Sequence, residues 1–117
     1  MNTGMVKIVR LLPYQQANII RRGAEMKTVW KYTLPIIGGI HIQMPLHSEI
    51  LSVKNQKENL VMYALIDPEI SNVVGMRKFR IVGTGHHISF ENHPCYIGSV
   101  LFQSGNFVAH VFEELDI

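Results

Sequence analysis

The chain has 117 residues, 47% of them apolar and 17% charged, with a formal net charge of +2 and one cysteine, Cys95. That balance excludes a disordered chain and an internal disulfide framework, and no stretch approaches the roughly 18 apolar residues of a membrane span. The charge is uneven: residues 1–25 carry Lys7, Arg10, Arg21 and Arg22 against Glu25, a net +3, while residues 26–117 carry seven Lys/Arg against eight Asp/Glu, a net −1.

Residues 1–25 therefore read as a separate leading segment and 26–117 as a single β domain. The segment is not built as a secretory signal, because Pro13 and Gln15-Gln16 interrupt any apolar core. One reading makes it a short basic arm for an anionic partner. The other makes it upstream translation. Arg21-Arg22 can be encoded by AGGAGG, a bacterial ribosome-binding sequence, and its distance from Met26 suits initiation there. If the segment is native, Val6–Leu12 could add an edge strand.

From Met26 onward, short apolar-polar alternations are punctuated by turns, which predicts an all-β fold. Lys27–Leu34 places Trp30, Tyr32 and Leu34 on one face and Val29, Lys31 and Thr33 on the other. Gly38-Gly39 allows a reversal, and Ile40, Ile42 and Met44 then alternate with His41 and Gln43 up to Pro45. Glu49–Lys54 forms the next strand, joined through Asn55–Glu58 to Leu60–Ile66, whose nearly continuous apolar run predicts cover on both faces. Residues 67–76 read as a loop. Lys78–Val82 follows, with Phe79 and Ile81 inward and Lys78 and Arg80 outward. The hairpin Tyr96–Phe102/Phe107–Glu113 closes around Gln103-Ser104-Gly105-Asn106. On its second strand Phe107, Ala109 and Val111 oppose Val108, His110 and Phe112. The expected architecture is a small, mainly antiparallel β-sandwich or barrel of about six to eight strands.

Candidate chemistry centres on Gly83-Thr84-Gly85-His86, a glycine-rich exit from a strand whose backbone amides could form an anion-binding nest. No Gly-Lys-Ser/Thr ending follows it, so it does not match a nucleotide loop. His110 sits mid-strand between Val108 and Phe112 and reads as a core or pocket-wall histidine, or as a site histidine paired with His86 or Glu113. The ligand-binding set expected from these residues is Gly83, Thr84, Gly85, His86 and His110, with Trp30 and Tyr32 giving an apolar surface nearby. No metal-ligand spacing and no cofactor fingerprint is present. A Cys95–His93 nucleophile pair lacks an orienting third group. The near-neutral domain does not fit a nucleic-acid binder.

Several short runs, in this order, resemble a family of small proteins from tailed phages and prophages. They are Met26-Lys27-Thr28-Val29-Trp30-Lys31-Tyr32, Met44-Pro45, Glu49-Ile50-Leu51-Ser52-Val53, Ala64-Leu65-Ile66-Asp67-Pro68, Gly83-Thr84-Gly85-His86, Tyr96-Ile97-Gly98 and His110-Val111-Phe112-Glu113. The resemblance spans about residues 26–114 and starts at Met26. Tyr63 and Ala109 depart from it, each replacing a larger side chain. The resemblance implies a phage-encoded accessory protein in the host cytoplasm and brings no known activity with it. The expectation is a non-catalytic binding protein that occupies a host protein or captures a small anionic ligand, with no membrane or nucleic-acid partner, acting as a homodimer. Two alternatives stand beside it. One is a small hydrolase with a metal on His86, His93 and His110 and Glu113 or Glu91 as base. The other is a virion structural or assembly component.

Overall fold

Seven strands and no α-helix make up the computed structural model, which describes residues 26–116. The leading segment, the start at Met26 and the Val6–Leu12 strand fall on residues outside the described ones. The strands are β1 (Thr28–Leu34), β2 (Gly38–Pro45), β3 (Glu49–Gln56), β4 (Asn59–Ile66), β5 (Val74–Gly83), β6 (His93–Phe102) and β7 (Phe107–Leu115). They form two antiparallel sheets, ordered β1-β4-β3 and β2-β5-β7-β6, packed as a small β-sandwich. No helix among the described residues is long and apolar enough to cross a membrane.

The period-2 pattern sets the inner faces. Leu60, Met62, Ala64 and Ile66 of β4 meet Phe79 and Ile81 of β5 and Ala109 and Val111 of β7 in one core, all buried. Val61 lies on the outer face of β4 yet is also buried. Lys31 on β1 donates from Nζ to Gln56 Oε1 on β3 at 2.8 Å, so a polar bridge with an apolar stem crosses β4 above it.

The expected loop over 67–76 is shorter than the sequence suggests. A single 3-10 turn, Pro68–Ile70, is started by Asp67, whose carboxylate accepts the Glu69 N–H. β5 then begins at Val74, four residues before the expected Lys78. The extra residues are strand because Val74, Gly75 and Met76 pair with Pro45, Met44 and Gln43 of β2. That long-range pairing has no local signature.

Two hairpin turns are tied to each other. Lys57 and Glu58 both take positive φ, as a two-residue β3–β4 hairpin requires. Asn55 Oδ1 accepts the Glu58 N–H, and Asn55 Nδ2 donates to the Leu101 carbonyl of β6. Glu58 Oε1 in turn accepts the Gln103 N–H, at the left-handed turn Gln103–Gly105 between β6 and β7. Asn55 and the Gln103 amide together hold the Glu58 carboxyl below the usual carboxylate range.

The two sheets also meet along β3 and β6. Each strand carries a register shift there, at Leu51 on β3 and at Ile97 on β6. Bulges bend and twist a strand, and these two lie on the strands that approach each other. A Cβ on Gly98 would stand 3.0 Å from Val53 Cγ2, so glycine is what permits this approach. Gly98→Ala should destabilise the domain by about 1–3 kcal/mol through overpacking, read from the urea midpoint. In a Val53→Ala background the same change should cost much less. An equal cost in both backgrounds would reject the contact as its cause.

Candidate functional site

β7 runs between β5 and β6, so its register decides what the larger sheet shows to solvent. Ala109 and Val111 are fully buried. Strand alternation then turns Val108, His110, Phe112 and Glu114 to the outer face. On β6 the shift at Ile97 changes the parity: Tyr96 pairs with Phe112, and Ser99 pairs with His110. In an unbroken strand these two residues would face opposite ways. The bulge places both outward.

Four side chains consequently form one hydrogen-bonded row. Tyr96 OH lies 2.6 Å from Ser99 Oγ, Ser99 Oγ lies 2.7 Å from His110 Nδ1, and His110 Nε2 lies 2.6 Å from Thr84 Oγ1. Thr84 reaches the row from the turn that ends β5, where the His86 N–H donates to the Gly83 carbonyl at 3.0 Å and Gly85 takes φ +82°. The row faces solvent: Tyr96, Ser99 and Thr84 are exposed and His110 is half-buried.

The segment after this turn folds back over the same face. Glu114 accepts the Glu91 and Asn92 N–H groups at 2.7 and 3.2 Å, and Arg80 bridges the Ser89 carbonyl and Glu114. Phe90 meets Phe112 edge-on at 5.2 Å, Tyr96 meets Phe112 at 5.5 Å, and the Arg80 guanidinium lies 6.0 Å from the Phe90 ring. An aromatic and charged border thus fixes one flank of the row.

The structure divides the sequence-derived site set. Thr84 and His110 come together, but His86 does not join them. A Cβ on Gly83 would lie 2.8 Å from the His86 ring and 2.9 Å from Phe107, so His86 packs on the inward side of Gly83. His86 and His110 thus sit on opposite faces of the sheet. The expected amide nest is also altered, because the His86 N–H is used inside its own turn. His93 pairs with Leu115, about 16 Å along β7 from His110 at normal strand rise. No group of three or more His, Cys, Asp or Glu among the described residues could hold a metal ion.

Trp30 and Tyr32 are not near the Gly83 turn. Tyr32 packs against the core on β1 and interacts electrostatically with Arg77. Arg77 lies six residues, about 20 Å of strand, before Gly83. Nor does Glu113 partner His110. It is buried on the inward face, where Arg77 Nε and Nη2 donate to its two oxygens at 2.6 and 2.9 Å and Arg77 Nη1 donates to the Ser48 carbonyl. This pair anchors β5 and β7 to the β2–β3 connection. Burial pushes the Tyr32 phenol up, partly offset by Arg77, and its buried hydroxyl has no partner. Tyr96 and Ser99, by contrast, were not among the expected site residues. Gly98 inside a strand is the available signal for the bulge that brings them in.

Residues 26–116 match the model of a family described as a domain of unknown function, DUF7352. No curated protein and no solved structure matches the chain.

Two outcomes follow from these side chains. Tyr32→Phe removes a buried hydroxyl that has no partner, so it should leave stability unchanged or raise it by up to about 1 kcal/mol; a clear loss in urea unfolding would mean that the hydroxyl is satisfied. Burial raises the Glu114 carboxyl, but the Asn92 and Glu91 amides and Arg80 outweigh it, and its pKa is lowered on folding. A lowered folded value stabilises fully above the unfolded carboxyl range, near pH 4.3, and that contribution is lost as pH falls through the folded value. The urea midpoint of the wild type should therefore fall more steeply below about pH 4.3 than that of Glu114→Gln. Parallel curves would show that the anchored loop does not depend on the Glu114 charge.

Proposed function

We propose that this chain, which belongs to the DUF7352 family of domains of unknown function, is a non-catalytic binding protein that engages its partner through the outer face of the larger sheet. The carrying observation is the Tyr96–Ser99–His110–Thr84 row. It has four polar side chains, from β6, β7 and the turn after β5, each hydrogen-bonded to a neighbour on the outer face. Such an arrangement fixes side-chain orientation before a partner arrives, which lowers the entropy cost of binding. Leu101, also outward on β6 and 60% exposed, extends the face with an apolar contact.

Hydrolysis has less support. In a serine–histidine nucleophile the third group, typically a carboxylate, also stabilises the imidazolium that forms, and here that place is held by the uncharged Thr84 hydroxyl. Ser99 sits on an exposed strand rather than in a cleft. The histidines considered for a metal are spread over two faces and two ends of the sheet. The phage-encoded accessory role, with a host cytoplasmic protein as partner, rests on the motif resemblance alone.

A photo-cross-linking residue at Leu101, which leaves the row intact, provides the test in bacterial host cells. It should yield one discrete host-protein adduct, at least tenfold weaker when His110→Gln is added. The same probe at exposed Lys54, on the smaller sheet, should yield none. Equal adducts from both positions, or none from Leu101, would overturn the reading.

A further inference from the structure

We infer that the Tyr96–Ser99–His110–Thr84 row is an oxyanion-binding site switched on by protonation of His110. This rests on the outer face being the binding face, and it names the chemistry that the face takes.

The argument is a count of protons. Three contacts join the four groups, and each contact uses one proton. With a neutral imidazole the groups hold three hydroxyl protons and one N–H. One proton is then left over. If Nε2 carries the hydrogen, it donates to Thr84, Ser99 donates to Nδ1, Tyr96 donates to Ser99, and only Thr84 points a proton outward. If Nδ1 carries it, every arrow reverses and only Tyr96 does. With an imidazolium both ring nitrogens donate, and every contact is kept. Two protons are then left over, one at each end of the row. Protonation thus adds a positive charge and a second outward donor without breaking a hydrogen bond. An outward hydroxyl proton beside an imidazolium charge suits a carboxylate, sulfate or phosphate oxygen.

The other charged groups do not supply this switch. On β5 Val82 pairs with His110, and the nearest charged side chain on that strand face is Arg80, opposite Phe112. Arg80 is engaged by Glu114 and the Ser89 carbonyl. Lys78, opposite Glu114, lies 3.6 Å from Asp116. His86 is on the inward side of Gly83. On β6 the facing groups are Ser99 and Tyr96, and in the loop beyond Thr84 the other titratable groups are His87 and Glu91. His110 is the imidazole held within the row, and histidine is the side-chain type whose charge ordinarily changes between pH 5 and 8.

Nitrogen-15 NMR of the full chain provides the test, with sulfate as the probe because its charge is constant over the range used. Ionic strength is held fixed with sodium chloride. Sulfate should shift the amide signals of Thr84, Ser99 and His110, with an affinity about tenfold higher at pH 5.5 than at pH 8, the size of one added charge-assisted hydrogen bond. The change should follow the imidazole titration of His110 read in the same spectra. His110→Gln should remove the pH dependence. Tyr96→Phe frees the Ser99 proton and Thr84→Val frees the Nε2 proton, so each variant keeps two outward protons in the charged form and should keep the pH dependence. A tetraglutamate peptide that binds more tightly than sulfate would assign the oxyanion to an acidic segment of a partner, and the reverse order to a free anion. Equal affinity at the two pH values, shifts away from the row, or a pH dependence that survives His110→Gln would overturn the inference. A sulfate response without the Leu101 adduct would defeat the partner reading and leave this one standing, and an adduct without a sulfate response would do the opposite.

Discussion

The burial of Ala109 and Val111 is the constraint on which the rest of this molecule depends. Strand side chains alternate with a period of two, so a one-residue slip would send His110 into the core and Val111 into water. Pairing on both sides holds the register, with Val82 of β5 and Ser99 of β6 flanking His110. The apolar core therefore determines the position of a polar site that it never touches. The outer face inherits its order from the inner one.

Two local departures from regular sheet geometry give that face its content. The first is the bulge at Ile97, which brings Tyr96 and Ser99 to one side of β6. The second is the turn from Gly83 to His86, which aims Thr84 at His110 while its own amide is satisfied internally. Without either, the imidazole would keep one partner at most. The bulge also serves the fold, because it lies on the strand where Gly98 admits Val53 of the opposite sheet. One irregularity thus closes the sandwich on one face and assembles a polar row on the other.

The ionisable groups sort by face as well. Arg77 and Glu113 form a paired, largely buried unit that ties two strands to a crossover, and removing one partner of such a pair leaves an uncompensated charge. Glu114, one residue later, turns outward and fixes the loop that borders the row. Adjacent glutamates on β7 therefore have separate tasks, set by alternation alone. The same alternation explains why Glu113 cannot serve His110 and why His86, packed on the inward side of Gly83, cannot meet it.

By itself the sequence determined the all-β class, the inward pair Phe79/Ile81, the separation of Ala109 and Val111 from His110 onto different faces, the two closing hairpins, and Thr84 and His110 as candidates. These depend on local period and turn chemistry, which the residues display directly. Burial in the folded chain decided that Ala109 and Val111 face inward. Only the tertiary structure decided the early start of β5, the separation of His86 from His110, the capture of Glu113 by Arg77, and the entry of Tyr96 and Ser99 into the site. Each of these follows from pairing between strands distant in the chain, or from a bulge that reverses parity. A pattern with period two cannot announce where its own phase will change.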